Sequence, residues 1–277
     1  MKEFDSKRVW GPKPRYPNAL SAKGTEDLII IAGPCSIESK AQLETVAREV
    51  AAQQGSGRDV YLRGGIYKAG TYPPPSAEFG LQPARLQMLY AAGKKFGLKT
   101  IAEVLDVRLV RHIAPMVDAF QVGARHCQDY ALLEELAKHR KPVTLKRNMG
   151  MTLDEFMGAA EYLARGKCQP ILIERGTASQ MNHVRWDLSI SLIAAVKAMT
   201  NLPILVDASH GTGRRDLVES MTYAGMAAGA NGFLVETHPN PCKSLTDTDQ
   251  AFPLDRLDHI CRRAECLHHL SKSWRNH

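Results

Sequence analysis

The sequence has few aromatic residues and no long apolar segment. Aromatic residues make up 6% of the 277 residues. No apolar run approaches the roughly 18 residues that a membrane-spanning helix needs. The first five residues, MKEFD, lack the apolar core of a secretory signal peptide. Because no tract is of low complexity and hydrophobic residues reach 44%, the chain is expected to be a globular, cytoplasmic protein without a membrane partner.

The cysteines form neither a CxxC pair nor a regular framework. In a long chain without a secretory signal, such cysteines are expected to be reduced thiols. Each one alone is expected to be structural unless its position indicates chemistry. The six are Cys35, Cys127, Cys168, Cys242, Cys261 and Cys266.

Acidic residues are outnumbered by basic ones, 29 against 36, which gives a formal charge of +7. This balance favours acidic partners, either nucleic acid or small anions. A nucleic-acid-binding surface usually concentrates its basic residues in one stripe with interleaved aromatic residues. Here the basic residues are scattered, and several directly follow apolar runs. The pattern therefore predicts small phosphorylated ligands rather than nucleic acid.

After residue 27, short apolar runs alternate strictly with longer amphipathic stretches. The apolar runs are Leu28–Ala32, Val60–Leu62, Thr100–Val104, Ala119–Val122, Pro142–Leu145, Pro170–Ile173, Ile204–Val206 and Gly232–Val235. The amphipathic stretches are 39–53, 83–96, 107–115, 128–139, 152–165, 187–200, 214–228 and 253–270.

Eight strands and eight helices over about 250 residues are typical of a (β/α)8 TIM barrel, an α/β fold with a single domain. A doubly wound sheet usually carries a glycine-rich phosphate loop after its first strand, and Gly33–Ser36 is no such loop. The predicted organisation is an N-terminal extension over residues 1–27, the barrel over 28–270 and a C-terminal tail over 271–277.

Charged residues follow most of the predicted strands. The carboxyl ends of barrel strands converge on one mouth, so these side chains are expected to share one cavity. Glu103 and Glu174 are expected to pair with neighbouring basic residues, but the basic residues exceed what the local carboxylates need, which indicates a trianionic substrate. The residues at these positions are Cys35, Arg63, Lys68, Glu103, Arg125, Lys146, Arg147, Glu174, Arg175, Asp207, His210, Glu236, His238 and Asp247.

Four of these side chains could together hold a metal ion. They follow strands 1, 7 and 8, which become neighbours when a barrel closes. A mixed set of sulfur, nitrogen and oxygen donors suits a divalent transition metal rather than Mg²⁺ or Ca²⁺. Taken singly, a buried cysteine or a hydrogen-bonded histidine is an ordinary structural residue, so both interpretations stay open. The four residues are Cys35, His210, Glu236 and Asp247.

Seven segments between about residues 28 and 252 carry a resemblance to a known family. They read IIIAGPCSIES, LRGGIYK, FQVGARHCQDY, VTLKRNMGMTLDEF, ILIERG, LPILVDASHGTGRR and AAGANGFLVETHPNPCKSLTDTDQ. These segments are similar to the signatures of the type I 3-deoxy-D-arabino-heptulosonate 7-phosphate (DAHP) synthase family. The closest branch is the one related to 3-deoxy-D-manno-octulosonate 8-phosphate (KDO8P) synthases.

The resemblance implies a metal-dependent enzyme of the shikimate pathway that condenses phosphoenolpyruvate (PEP) with an aldose phosphate and releases phosphate. The implied cofactor is one divalent ion (Mn, Fe, Co or Zn), and a cysteine in GPC resembles the metal-dependent enzymes, since the metal-independent octulosonate branch has asparagine there. The implied metal ligands are Cys35, His210, Glu236 and Asp247. The implied PEP-binding residues are Arg63, Lys68, Arg125, Lys146 and Arg175, with Arg125 and Arg175 on the phosphate. The implied catalytic residues are Lys68, Cys35 and His210, and either Lys68 or water at the metal carries the proton.

The chain departs from the family pattern at the acceptor site. DAHP synthases usually continue KPRTS after the lysine, and KDO8P synthases read KANRS; in both, the arginine holds the phosphate of the acceptor. This chain has Gly70 at that position, although Thr71 matches the threonine. Thr71 and Asp207 are therefore the predicted acceptor-binding residues. Two explanations stay open: Arg147, Arg185 or Arg214 replaces the missing arginine, or the acceptor differs from the default, erythrose 4-phosphate.

The resemblance also implies a homodimer or homotetramer. Only about 27 residues precede the barrel, so no feedback inhibition by aromatic amino acids through an appended domain is expected. The alternatives are an enzyme that acts on another aldehyde, such as arabinose 5-phosphate, and an inactive homologue with a binding or regulatory role. A metal-dependent hydrolase would not explain the basic rim.

Overall fold

The structure, a computed structural model, describes residues 17–20, 24–68, 80–180 and 182–275. No helix in this part of the chain has the length and apolar character needed to span a membrane. Eight long strands alternate with eight principal helices. The strands are β1 (Leu28–Gly33), β2 (Arg58–Arg63), β3 (Lys99–Glu103), β4 (Ala119–Val122), β5 (Val143–Lys146), β6 (Pro170–Glu174), β7 (Ile204–Val206) and β8 (Gly232–His238). The helices are α1 (Lys40–Ala51), α2 (Pro83–Phe96), α3 (Val110–Ile113), α4 (Tyr130–Ala137), α5 (Leu153–Arg165), α6 (Ile190–Met199), α7 (Val218–Ala227) and α8 (Leu257–Arg275).

Shorter elements lie in the connections and at the N-terminus. The short strands are Tyr67–Lys68, Gly80–Leu81 and Phe252–Pro253. The short helical segments are Pro17–Leu20, Val107–Leu109, Ala114–Met116, Ala124–His126, Ala208–Thr212, Arg215–Leu217, Pro241–Lys243 and Leu254–Arg256.

The eight long strands form a closed parallel barrel, which confirms the predicted fold. β1 pairs with β2 on one side and with β8 on the other, and every neighbouring pair in between is parallel. The register of the closing pair sets Ile29 opposite Gly232 and Gly33 opposite Glu236. The C-terminal ends of β1 and β8 therefore lie side by side.

Alternating residues of every barrel strand except β5 face two separate apolar layers. In β1, Ile29 and Ile31 pack inside the barrel, whereas Leu28, Ile30 and Ala32 pack against the helices. This follows from the period of two in a strand. The inner layer consists of Ile29, Ile31, Tyr61, Ile101, Ala119, Ile171, Ile173, Leu205 and Leu234.

Local sequence signals explain several helix boundaries. Thr152 and Glu155 form the predicted capping box at the start of α5. The predicted helix over 107–115 is divided into α3 and two flanking 3₁₀ turns, the second of which contains Pro115 in its first turn. α8 continues to Arg275, past the predicted end at residue 270. Of the predicted N-terminal extension, only residues 17–20 and 24–27 are among those described.

A buried ion pair links the ends of β5 and β6 behind the barrel wall. Arg147 donates from Nε to Glu174 Oε2 at 2.7 Å and from Nη2 to Oε1 at 3.1 Å, and it also donates to the carbonyl oxygen of Met151. Arg147 and Glu174 are 4% and 0% exposed. Glu174 Oε1 accepts further hydrogen bonds from the amides of Gly176 and Ser189. The expected pairing of Glu174 with a basic residue is thus present, and it orders both loops that flank Lys146 and Arg175.

We expect Glu174→Gln to destabilise the protein strongly. The substitution leaves the Arg147 guanidinium buried without its counter-charge, and breaking a buried pair in this way costs about 3–5 kcal/mol. Urea unfolding should show this loss in the free energy of unfolding. Arg262→Gln, which removes a charge from the exposed Arg262–Asp258 pair on α8, is the control and should unfold nearly as the wild type does. Equal unfolding midpoints for the two variants would contradict the structural role assigned to the Arg147–Glu174 pair.

Candidate active site

Side chains at the C-terminal ends of the strands converge on one cavity of about 680 Å³. Several of them lie two residues beyond a residue of the inner layer, so the alternation of the strand directs them into the barrel mouth. Arg63 follows Tyr61 in this way, and Asp207 follows Leu205. Arg147 and Glu174 have the opposite parity, which explains why they pair behind the wall. The predicted strand-end residues that line the cavity are Cys35, Glu103, Arg125, Lys146, Arg175, His210 and Asp247.

The four predicted metal ligands lie together. Donor atoms of Cys35, His210 and Glu236 are all within 4.8 Å of one another. His210 Nε2 is 3.4 Å from Glu236 Oε2. The Cys35 thiol is 3.1 Å from Asp247 Oδ2, and Asp247 has a left-handed backbone conformation with φ of 52°. Sulfur, imidazole nitrogen and one carboxylate thus converge between β1, β7 and β8, and the Asp247 carboxylate adjoins them through Cys35.

The protonation of this cluster fits the binding of a cation. Burial raises the pKa of Glu236 to about 7, against the opposing effect of Arg63. Burial, together with the charge of Glu236, raises the pKa of the Cys35 thiol well above its ordinary value. Glu236 is 1% exposed, and its Oε1 has no hydrogen-bond partner among the described residues. A divalent cation would relieve the repulsion within this cluster and satisfy the unpartnered oxygen.

Asp207 orients His210 toward this cluster. The buried Asp207 carboxylate lies 3.0 Å from His210 Nδ1 and accepts a hydrogen bond from Lys146 Nζ at 2.8 Å. Although burial alone would raise the pKa of Asp207, His210 and Lys146 hold it well below the ordinary value. Burial lowers the pKa of His210 to about 4, so the imidazole is neutral at pH 7. A neutral ring that donates from Nδ1 to Asp207 presents the Nε2 lone pair to Cys35 and Glu236.

Arg63 and Arg175 are buried cations with free hydrogen-bonding capacity. They are 5% and 6% exposed, and the Nη1 atom of each has no partner among the described residues. Arg175 Nη2 donates to the carbonyl oxygen of His210 at 3.3 Å, and its guanidinium lies 5.6 Å from the centre of the Trp186 ring. An unpaired charge raises the free energy of the folded protein when it is buried, so these two arginines are suited to bind an anion.

The segment after β2 packs tightly against the loop that carries Cys35. A Cβ atom at Gly65 would lie 1.8 Å from the carbonyl oxygen of Cys35, so only glycine permits this contact. The short strand Tyr67–Lys68 follows and pairs with Gly80–Leu81. Predictions for Gly70 and Thr71 concern positions outside the described residues, and the structure does not describe the Lys68 side chain.

The sequence profile of the DAHP synthetase I family matches residues 16–270. The chain belongs to the DAHP synthetase I family.

Relatives with two different names resemble the chain. Phospho-2-dehydro-3-deoxyheptonate aldolase of Thermotoga maritima is 39% identical over 239 residues, which cover 86% of this chain and 69% of the relative. 2-Dehydro-3-deoxyphosphooctonate aldolase of Acidithiobacillus ferrooxidans is 28% identical over 269 residues, which cover 88% and 90%. A crystal structure of the T. maritima DAHP synthase superposes with a TM-score of 0.81 at 35% identity and covers 90% of this chain and 71% of that one. The fold and the resemblance to both branches are thereby confirmed.

This member of the DAHP synthetase I family also has supporting residues that the sequence did not single out. Gln250 Nε2 donates to Glu236 Oε2 at 2.7 Å. Glu38 accepts from the amide of Leu245 at 2.8 Å and lies 3.4 Å from His238 Nε2, so it attaches the segment before Asp247 to the loop after β1. Both residues stand within quoted family segments, but only contacts in space reveal their roles.

We expect Mn²⁺ to stabilise this DAHP synthetase I family protein through Cys35. A ligand that binds only the folded state at 100 times its Kd adds about 2.7 kcal/mol to the free energy of unfolding. Thermal unfolding with and without Mn²⁺ should show a rise in Tm for the wild type and for Cys266→Ser, whose thiol is exposed. Cys35→Ala should lose most of this rise. An equal rise in the Cys35→Ala variant would argue against the metal cluster.

Asp207→Asn separates a positioning role from the predicted acceptor contact. Loss of the carboxylate removes the partner of both Lys146 and His210, so we expect about 10- to 100-fold weaker Mn²⁺ binding. Thermal unfolding at increasing Mn²⁺ concentrations measures this affinity without reference to activity, and Asp258→Asn on the exposed face of α8 is the matched control. A raised KM for the aldehyde with unchanged Mn²⁺ affinity would favour direct acceptor binding by Asp207.

Proposed function

We propose that the protein is a metal-dependent synthase that condenses PEP with an aldose phosphate and releases inorganic phosphate. One observation carries the proposal: a single barrel mouth joins Arg125 and Arg175, which follow β4 and β6, to a cluster of sulfur, nitrogen and carboxylate donors beside the buried Arg63. The arginines suit a compact anion with several charges, and the donor cluster suits a transition metal. Membership in the DAHP synthetase I family supports the same chemistry.

The arginines would hold the two ends of PEP. Guanidinium groups match the geometry of phosphate and carboxylate oxygens and remain charged at any physiological pH. We assign Arg125 and Arg175 to the phosphate, and Arg63 and Lys68 to the carboxylate. Lys146 would act at the same anion only together with Asp207, since its ammonium group already donates to that carboxylate.

The reaction forms one carbon–carbon bond and breaks one carbon–oxygen bond. C3 of PEP attacks the aldehyde carbonyl, water adds at C2, and the resulting hemiketal phosphate expels inorganic phosphate. A divalent cation held by Cys35, His210, Glu236 and Asp247 supplies Lewis-acid activation of an aldehyde carbonyl when it is bound. Asp207 keeps the proton of His210 on Nδ1, and the arginines stabilise the charge of the departing phosphate. The family resemblance leaves two candidates for the proton carrier, Lys68 and water at the metal.

Erythrose 4-phosphate is the proposed acceptor. The relative from T. maritima is named as a heptonate aldolase, and it is more similar to this chain than the octonate aldolase described above. The replacement of the acceptor arginine by Gly70 favours a second candidate of the same class, an aldehyde that lacks a terminal phosphate or a modified aldehyde of specialised metabolism. We also propose a homodimer or homotetramer, which sedimentation equilibrium would detect.

An inactive binding or regulatory homologue is the alternative from another class. Such a protein would be free to lose catalytic side chains, because nothing would select for the reaction. Here the donor cluster is compact, and the buried arginines keep unpartnered nitrogens. Both features favour an enzyme.

Incubation of the purified protein with PEP, Mn²⁺ and a panel of aldehydes tests the proposed function. We expect inorganic phosphate release that depends on the aldehyde, and loss of the release after chelation by EDTA and in Cys35→Ala. PEP without aldehyde is the blank, and Cys266→Ser should retain activity. Absence of PEP consumption with every aldehyde would overturn the enzyme assignment. Activity that survives both EDTA and Cys35→Asn would overturn the metal assignment.

A further inference from the structure

We propose that Arg185 binds the phosphate group of the acceptor aldehyde and thereby determines the preference for a phosphorylated acceptor. This inference rests on the proposed function, because it assigns the second substrate of the same site. Gly70 stands where relatives have the arginine that holds the acceptor phosphate. Arg185, from a different loop, would take over that role.

Of the three arginines that could replace the missing one, Arg185 is the one that lines the cavity. Arg147 is committed to Glu174 and to a backbone carbonyl behind the barrel wall. Arg214 donates to Asp216 and to the carbonyl oxygen of His183, and it is not part of the cavity lining. Only Arg185 therefore presents its guanidinium to the space where substrates would bind.

The backbone around Arg185 is held firmly between two strand ends. The amide of Arg185 donates to the carbonyl oxygen of Thr212 at 2.8 Å, and the amide of Trp186 donates to that of Gly211 at 2.9 Å. Thr177 and Asp187 form an isolated antiparallel bridge beside it. Such anchoring restricts where the side chain can reach, which lowers the entropic cost of binding a ligand.

The guanidinium of Arg185 keeps capacity for an anion. Its Nη1 is 3.5 Å from Asp247 Oδ1 and 3.4 Å from Gln250 Oε1. Both distances exceed the 2.7–2.9 Å of a strong charge-assisted hydrogen bond. The side chain is 40% exposed, so it faces the solvent-filled part of the cavity. A phosphate could therefore approach without breaking a strong existing contact.

The charge around Arg185 also favours an anion. Burial lowers the pKa of Arg175, and the positive charge of Arg185 is close enough to lower that pKa further. Two neighbouring cations that repel each other are both stabilised when anions bind. Trp186, next to Arg185 in the chain, packs beside Arg175, so one short segment orients an arginine for each of two anions.

The position of Arg185 indicates the acceptor rather than PEP. Its contact with Asp247 places it on the side of the cavity where Cys35, His210 and Glu236 converge. The aldehyde carbonyl would be activated at this cluster, and Arg185, at the Asp247 oxygen that does not contact Cys35, would be within reach of the other end of a short acceptor. Arg125 follows β4, whereas Arg175 and Arg185 both follow β6, so the contact with Asp247 is what separates Arg185 from the cations assigned to PEP.

Steady-state kinetics with matched pairs of aldehydes test the assignment. Wild type, Arg185→Gln, Arg185→Lys and the surface control Arg262→Gln are assayed with Mn²⁺ and saturating PEP. The pairs are erythrose 4-phosphate with erythrose, and arabinose 5-phosphate with arabinose. We expect Arg185→Gln to lower kcat/KM for the phosphorylated member by roughly 10- to 150-fold, the value of a charge-assisted phosphate contact. The value for the unphosphorylated member should change little, and Arg185→Lys should show an intermediate loss.

The outcomes separate this inference from the proposed function. Arg185 could instead serve only to neutralise the charge of Asp247. In that case Arg185→Gln will weaken Mn²⁺ binding, measured by thermal unfolding, and will lower kcat/KM equally for both members of a pair. That result overturns the assignment. A wild-type enzyme that does not discriminate within either pair also overturns it. No phosphate release from PEP by the wild type with any aldehyde overturns the proposed function, and the assignment with it. Should Arg185→Gln fail to fold, the test uses Arg185→Lys. The quantity compared is then the ratio of kcat/KM for the phosphorylated aldehyde to kcat/KM for its unphosphorylated partner. A ratio equal to that of the wild type contradicts the assignment.

Discussion

Closure of the barrel between β1 and β8 is the constraint on which the site depends. The pairing that sets Gly33 opposite Glu236 brings the loop after β1 to the end of β8. Cys35 then lies beside Glu236 and Asp247, although more than 200 positions separate them in the chain. The alternation within each strand adds the second condition, since it directs every second residue at the strand ends into the mouth. An open sheet with the same strands would leave Cys35 and Glu236 at opposite edges.

The charged side chains at the strand ends differ in how fully they are paired with other side chains. Arg147 and Glu174 satisfy each other behind the wall and order the loops, so their contribution is to stability. Lys146, Asp207 and His210 satisfy one another at the mouth and define the protonation of the imidazole. Arg63, Arg175 and Glu236 each have a buried atom without a partner among the described residues. Because a buried charged group is costly to leave unpaired, these three atoms indicate where a ligand would bind.

The proposed assignments divide the cavity into two anion-binding regions. Arg175 belongs to the region assigned to PEP, and Arg185 to the region beside the donor cluster. The segment from Arg185 to Asp187 connects them, because it is bound through its backbone to the loop after β7 and to Thr177 after β6. An alteration of this segment would therefore affect both substrates, whereas a substitution of the Arg185 side chain alone affects the acceptor.

Periodicity in the sequence was sufficient for the fold. All eight strands were predicted to within a few residues, because each is a short apolar run bounded by polar or glycine-containing segments, and helices such as Pro83–Phe96 have their own start and stop signals. The strand ends also indicated which charged residues share one mouth, and the family segments indicated four metal ligands that the structure brings together. The sequence could not show that Arg147, an open candidate for the acceptor phosphate, pairs with Glu174 behind the wall, because the facing of adjacent strand residues is fixed only in the folded barrel. It also could not show that Asp207 holds His210, that Gln250 supports Glu236, or that Arg185 rather than Arg214 reaches the cavity, since these depend on contacts between loops that only tertiary packing brings together.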